Sequence, residues 1–297
     1  MAGLKEIKRR LKSVKNTKKI TYAMKLVSAA KLRKAQDAVA KARDYSDVLY
    51  SLIGDLARAC AGSDTSHPLM EARSEVKTVG LVIVGGSRGL CGAYNTNVNK
   101  ATQKFIDQKT AEEIEVKCFV LGRKPAEYCR KKSIACVETY EELPESANDW
   151  PIDTICRAVE KLFIDGDVDQ VHVISTQFKS AISMTVQTRK LLPLEASSIG
   201  MTADEQEEVG EDGVTLFEPS AEAVFDAVVP RIISSVVRQA CLDAKASEHG
   251  SRMTSMDSAT KNADELGQKL QLTHNKLRQS GITSELLDII GGSEGVN

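Results

Sequence analysis

The sequence predicts an α/β protein in which the two chain ends form a helical rod and a compact α/β domain is inserted between them. Two observations predict this fold: apolar residues recur at helical spacing over both long ends, and the middle alternates between strand and helix patterns. We assign residues 1–60 to the first helix, 75–195 to the α/β domain, 196–219 to an acidic loop, and 220–291 to the second helix.

The N-terminal helix is predicted from apolar residues spaced three and four apart, at Leu4, Ile7, Leu11 and Val14. We interpret the next apolar residues as a seam that continues after a phase shift, through Ile20, Met24 and Val27. No Pro or Gly interrupts the chain between Leu4 and Ile53. About 50 helical residues span on the order of 75 Å. Such a length without caps favours a coiled coil over a globular helix.

The middle of the chain carries short apolar strands separated by helix patterns. Strands are predicted at 77–84, 115–121, 134–137 and 169–176, and helices at 95–108, 123–132 and 152–164. This alternation predicts a Rossmann-like α/β domain with a mostly parallel sheet. A last strand at 184–192 follows so closely that it should form an antiparallel hairpin with its predecessor.

The C-terminal helix is predicted from about Ser220 to Ile290, which corresponds to on the order of 105 Å. Pro230 is expected to kink it or to mark a junction. Gly291 and Gly292 are expected to end it. Because this helix is longer than the first, its tip should project past its partner's end unless the two are offset.

Charge is unevenly distributed, although the net charge is only −1. Between Lys5 and Arg43 there are fourteen Lys or Arg and only two acidic residues, whereas residues 191–230 hold ten acidic residues and no basic one. A basic arm implies acidic partners, whether protein, phosphate or lipid surface. A solvated helix face would show the same charges, so both interpretations stay open.

Composition argues against several classes of site. Seven cysteines without a CxxC pair favour a reducing compartment over a disulfide scaffold or a zinc site, and the four histidines lack metal-ligand spacing. No apolar run approaches the roughly 20 residues that span a bilayer. We therefore predict no metal, no cofactor and no catalytic residues, and expect membrane association only through a partner.

The glycine-rich loop Gly85–Gly92 follows a strand and precedes a helix, so its backbone N–H groups could face a phosphate. It lacks the Gly-Lys-Ser/Thr of a P-loop, and its glycine spacing is not GxGxxG. Tight packing between strand and helix is the favoured interpretation. A dinucleotide enzyme would need an acidic ribose ligand about 20 residues further on, where Glu112 and Glu113 offer only a faint match.

A second alternative is a coiled coil that binds nucleic acid through the basic arm. This alternative predicts a steeply salt-dependent affinity for DNA. The pI near 6.5 and the few aromatic residues argue against it. Met24, Met253 and Met256 fit either a coiled-coil core or a surface that repacks against changing neighbours. Arg252, Arg278 and Gln279 fit either a solvated helix or bonds to carboxylates of an enclosing partner.

Three segments together resemble the gamma subunit of F-type ATP synthases, of the bacterial type. They are Ile20-Thr-Tyr-Ala-Met24 with residues 27–33, Arg88-Gly-Leu-Cys-Gly-Ala-Tyr-Asn95, and residues 252–263 with 275–286. Their order and spacing match over essentially the whole chain. One departure is visible, because the family usually has an Asp before Arg88 and this chain has Ser87.

The resemblance implies a central stalk or rotor in which the terminal helices form a long antiparallel, left-handed coiled coil. Its partners would be the alpha and beta subunits of an alpha3beta3 hexamer, an epsilon subunit and the membrane c ring, at the cytoplasmic face of a bacterial inner membrane. Carried over residue by residue, the contacts with alpha and beta subunits would involve Met24, Lys25, Arg252, Arg278, Gln279, Thr283 and Glu285.

Overall fold

The computed structural model describes residues 2–59, 67–194 and 220–294. It divides into two compact units. The paired-helix unit comprises Met1–Ala30 and Arg252–Asn297, and the α/β unit comprises Lys31–Ser251. The acidic loop expected at 196–219 lies outside the described residues, as does most of the linker that precedes Pro68.

Two long helices start and end the described chain. Helix α1 runs over Ala2–Ala59 and helix α5 over Ala221–Glu294. α5 is continuous through Pro230 and also passes through Gly291 and Gly292, so the prediction that it ends at these glycines is wrong. Glycine costs about 1 kcal/mol in a helix interior, and this weak penalty does not by itself terminate a helix.

The α/β unit is built on one five-stranded sheet. Its strands are β1 (Thr78–Val84), β2 (Glu115–Leu121), β3 (Cys136–Tyr140), β4 (Gln170–Phe178) and β5 (Met184–Leu192). Their order is β3-β2-β1-β4-β5, with β1 to β4 parallel and β5 antiparallel to β4. The predicted mostly parallel sheet and its antiparallel hairpin are thus confirmed, and β3 lies slightly later than expected.

Three further helices connect the strands: α2 (Tyr94–Ala111), α3 (Arg123–Lys131) and α4 (Ile152–Ile164). Short 3-10 turns lie at Pro68–Met70 and Ala147–Asp149. Side chains alternate between the two faces of a strand, and β1 is buried from Val79 to Val84. Both faces of the sheet centre are therefore covered, as expected for a parallel α/β layer.

The described cysteines sit mainly in the core of the α/β unit. Burial raises the pKa of the Cys118, Cys129 and Cys156 thiols to about 12. Cys91 and Cys241 are also buried, Cys136 is half-buried, and Cys60 lies outside the described residues. Thiols in such surroundings are poor nucleophiles, because the reactive species is the thiolate.

Candidate functional site

The seam of helix α1 follows an unbroken seven-residue repeat. Every described side chain at the two seam positions is buried or half-buried: Leu4, Ile7, Leu11, Val14, Lys18, Thr21, Lys25, Ser28, Leu32, Ala35, Val39, Ala42, Ser46 and Leu49. This is the a/d pattern of a coiled coil. The predicted phase shift at Ile20 is therefore wrong. The repeat continues, but polar side chains occupy its central layers.

Polar contacts cross this seam within the paired-helix unit. Lys18 Nζ lies 2.5 Å from Asp264 Oδ1, Thr260 Oγ1 donates to Thr21 Oγ1 at 2.8 Å, and Lys25 Nζ lies 2.6 Å from Asp257 Oδ1. Each step forward along α1 pairs with a step backward along α5, so the helices run antiparallel. Polar groups at seam positions fix register, because a shifted pairing would leave them without partners.

Lys25 was expected to contact a partner subunit, but it forms an ion pair with Asp257 of its own chain. Hydrogen bonds from Lys25 and then Lys261 hold the pKa of Asp257 at about 2. Lys25 is therefore bound within its own chain rather than free on the surface. Its neighbour Met24 is half-buried.

Several large apolar side chains of the paired-helix unit point away from the seam. On α1, the residues that the sequence placed in the seam, Ile20 and Val27, are 61% and 55% exposed, and Leu26 is 52% exposed. The reason is the unbroken repeat, which gives the seam to Thr21, Lys25 and Ser28. Exposed apolar side chains grouped on one element indicate a surface that another molecule covers.

The tip of α5 is exposed as a whole. From Lys276 to Leu287 every described side chain is exposed, including those of Arg278, Gln279 and Thr283. The Thr283 hydroxyl donates to the Gln279 carbonyl at 3.0 Å, on its own helix. The backbone of Glu285 is helical, but its side chain lies outside the described residues.

Arg252 differs from the residues at the tip. Its side chain is only 7% exposed and is therefore buried within this chain. Met256, one turn further along α5, is also buried, whereas Met253 is half-buried. For Met256 the structure supports the coiled-coil-core interpretation.

The glycine-rich loop in the α/β unit is occupied by the chain's own atoms. The Gly86 N–H donates to Asn95 Oδ1 at 3.0 Å, and the Gly86 carbonyl accepts from the Lys124 N–H at 3.0 Å. A Cβ on Gly85 would lie 2.9 Å from the Pro125 ring. The predicted tight packing of this loop between strand and helix therefore agrees with the structure. Arg88 is paired despite the missing Asp, because it lies 3.8 Å from Glu145.

The sequence of this chain is similar to those of known proteins. A family model described as ATP synthase matches residues 3–296. The ATP synthase gamma chain of Chloroherpeton thalassium is 40% identical over 99% of this chain and 98% of its own length. The chain belongs to the ATP synthase gamma chain family. The gamma chain of Bdellovibrio bacteriovorus is 37% identical, over 99% of both chains.

Solved structures share the fold of this family member. A chain of the Tetrahymena thermophila mitochondrial ATP synthase central stalk and c ring aligns with a TM-score of 0.58 and 22% identity, over 81% of this chain and 99% of that one. A chain of the Euglena gracilis mitochondrial ATP synthase, from a structure of OSCP, F1 and c ring, gives 0.63 and 17% identity, over 99% and 95%.

In residues 2–59, 67–194 and 220–294, no helix combines the length and apolar character needed to cross a membrane.

Proposed function

We propose that this chain is the central stalk, or rotor, of a proton-translocating F-type ATP synthase. It transmits torque between a membrane c ring and the catalytic beta subunits, couples proton flow to ATP synthesis or hydrolysis and regulates ATPase activity, with no catalytic residue of its own. The observation that carries this proposal is the polar-seamed helix pair with apolar side chains facing outward. Membership of the gamma chain family supports the same role.

The outward apolar side chains support an enclosing partner. Full burial of a large aliphatic side chain contributes about 1.5–3 kcal/mol, of which Ile20, Leu26 and Val27 obtain only a part from this chain. The sequence from Lys5 to Arg43 on α1 holds fourteen Lys or Arg and only two acidic residues, and such a basic arm favours an acidic protein surface. An alpha3beta3 hexamer around the helix pair meets both requirements.

Within that surface we assign the coupling contacts to Met24 on α1 and to Arg278, Gln279, Thr283 and Glu285 at the α5 tip. Lys25 contributes through its ion pair with Asp257, which holds the helix that presents Met24. The proposed contacts do not include Arg252, because its side chain is buried in this chain.

The energetics fit a stiff element with many weak contacts. Reversing a 1:99 site equilibrium takes about 5.5 kcal/mol of differential contact. Exposed ion pairs contribute about 0–1 kcal/mol each, so no single contact would trap the rotor at one angle. The antiparallel pairing supplies the stiffness, since each polar seam layer resists sliding of one helix along the other.

The proposal also assigns a position in the complex to the α/β unit. We place it near an epsilon subunit and the c ring, at the cytoplasmic face of a bacterial inner membrane, as a peripheral part of the complex. The four-segment division at 1–60, 75–195, 196–219 and from 220 onward is retained as part of this proposal.

The test removes the exposed tip from the complete complex. Truncation after Ser280 deletes Thr283 and Glu285, and we expect proton pumping per ATP hydrolysed in inverted membrane vesicles to fall several-fold. Because the tip buries little of its own chain, the unfolding midpoint should move by less than about 2 °C. Truncation after Gly291 is the matched control and should leave coupling unchanged. Full coupling in the shorter variant, at equal assembly, would count against the proposal.

A further inference from the structure

The glycine-rich loop of the α/β unit contacts a segment of α5 that is almost completely buried. Ser247, Glu248 and His249 are at most 4% exposed. The Ser251 hydroxyl donates to the Cys91 carbonyl at 2.6 Å. A Cβ on Gly86 would lie 3.3 Å from the Glu248 carboxyl carbon, which is tighter than an ordinary contact, so the absence of a side chain at Gly86 lets the loop approach α5 this closely.

Glu145, in the segment between β3 and α4, links the same loop to both long helices. Its Oε1 lies 2.8 Å from Lys31 Nζ on α1 and 3.6 Å from His249 Nε2 on α5, and its Oε2 lies 3.8 Å from Arg88 in the loop. One carboxylate thus faces three segments that are distant in sequence. Lys34 and Lys245 line the same cleft, of about 390 Å³, so its charge is mainly positive.

The pKa of Glu145 agrees with this geometry. Burial opposes ionisation, but the hydrogen bond from Lys31 and the charges of Lys245 and Arg88 together lower the pKa of the carboxyl below its usual value. Glu145 is therefore ionised at neutral pH and attracts all of its cationic neighbours.

We infer that the glycine-rich loop and Glu145 form a clamp that fixes α1 and α5 to the sheet of the α/β unit, so that torque applied to this unit reaches both helices. The inference rests on the proposed rotor function and assigns a mechanical role to the glycine-rich loop. Glu145 is a positioning residue, because it acts through Lys31, Arg88 and His249.

Two substitutions test the clamp, each with a control from the same segment. Glu145→Gln removes the charge but keeps the shape, and Glu142→Gln changes an exposed neighbour. Gly86→Ala places a Cβ 2.9 Å from Asn95 Oδ1 and 3.3 Å from Glu248, whereas a Cβ on Gly89 has no atom within 4 Å. Ser251→Ala is a milder variant in case Gly86→Ala does not fold.

The first measurement is hydrogen exchange in the full-length chain. We expect amides of α5 near 247–251 and of α1 near Lys31 to exchange roughly two- to fivefold faster in Glu145→Gln, because the lost contacts are partly exposed ion pairs. Gly86→Ala or Ser251→Ala should accelerate the α5 amides, and β1 and β2 amides should be unchanged. Unaltered exchange at α5 in these variants would show that no clamp exists.

The second measurement is proton pumping per ATP hydrolysed by the assembled complex. It should fall about two- to fivefold in Glu145→Gln, by the same estimate, and stay unchanged in Glu142→Gln and Gly89→Ala. Faster exchange with unchanged coupling would overturn the mechanical role. Truncation after Ser280 separates the two ideas: if it lowers coupling and Glu145→Gln does not, the rotor function stands and the clamp fails.

Discussion

The two compact units of this chain bury their apolar side chains in opposite ways. In the α/β unit, strand β1 from Val79 to Val84 is completely buried by the chain itself. In the paired-helix unit, Ile20, Leu26 and Val27 are more than half exposed, while Thr21 and Ser28 occupy the seam. The α/β unit therefore obtains its hydrophobic stabilisation internally, whereas the paired helices leave much of theirs for another protein.

This difference separates stability from function within one chain. A helix derives most of its stability from packing of its apolar face rather than from intrinsic propensity. A polar seam gives up part of that stabilisation and gains a defined antiparallel register. Changes in the α/β unit should act mainly on folding, and changes on the outer face of the helix pair should act mainly on the assembled complex.

The largest expected effect is on the core. Ile83→Ala in β1 should reduce the free energy of unfolding by about 2–5 kcal/mol, because it leaves a cavity in a closely packed sheet. Trp150, the only tryptophan in the sequence, is buried in the α/β unit, so its fluorescence during urea unfolding reports on this unit. Ile20→Ala, at an exposed position, should change the same curve by less than about 0.5 kcal/mol. Equal losses of stability in both variants would contradict the stated difference between the buried α/β unit and the exposed face of the helix pair.

The second effect concerns acid sensitivity of the α/β unit. Burial, with Lys109 and Lys190 nearby, lowers the pKa of His172 to about 4. The unfolded chain then binds a proton at His172 more readily than the folded chain does. The contribution of His172 to the free energy of unfolding is therefore fully present above about pH 6.5 and is lost as pH falls towards 4, by at most about 3 kcal/mol. In His172→Gln the Trp150 unfolding midpoint should depend less on pH in this window. An unchanged slope would contradict the assignment.

The smallest effect is on the paired helices. Because the pKa of Asp257 is lowered to about 2, its contribution to stability is present above about pH 4 and lost as pH falls through 2. Far-UV circular dichroism of the complete chain should show a helicity loss between pH 4 and 2 that is smaller in Asp257→Asn. A helicity loss of the same size in the variant would show that the Asp257 carboxylate does not stabilise the helix pair.

The α/β domain is the part of the fold that sequence reasoning predicts best. Strand β5 is found at the predicted residues Met184–Leu192, and the short connection correctly identified an antiparallel hairpin. Strands β1 and β2 contain buried apolar runs, which give a strong local signal. The end of α5 was missed because Gly291 and Gly292 permit a helix end without requiring one.

The seam of α1 was harder to predict because its central layers are polar. Following apolar residues alone led from Val14 to Ile20 and suggested a phase shift, although counting in sevens leads to Lys18, Thr21 and Lys25. No local pattern shows that Asp264, Thr260 and Asp257, more than 230 residues away, are the partners.

The candidate site was predicted only in part. The exposure of Arg278, Gln279 and Thr283 agrees with a contact surface, and their partner contacts stay a prediction. Arg252 was expected at that surface, but its burial depends on packing that sequence spacing does not show. Glu145 was missed altogether, since a single carboxylate in a connecting segment carries no motif.

The burial of the native thiols has a practical consequence. Maleimides react with thiolates, and burial raises the pKa of Cys118, Cys129 and Cys156 to about 12. With Cys60 replaced by Ser, brief labelling near neutral pH should spare these core positions and modify a new cysteine in place of Ile182, which is 95% exposed between β4 and β5. A dye attached there would let single-molecule microscopy follow rotation of the α/β unit while the complex turns over.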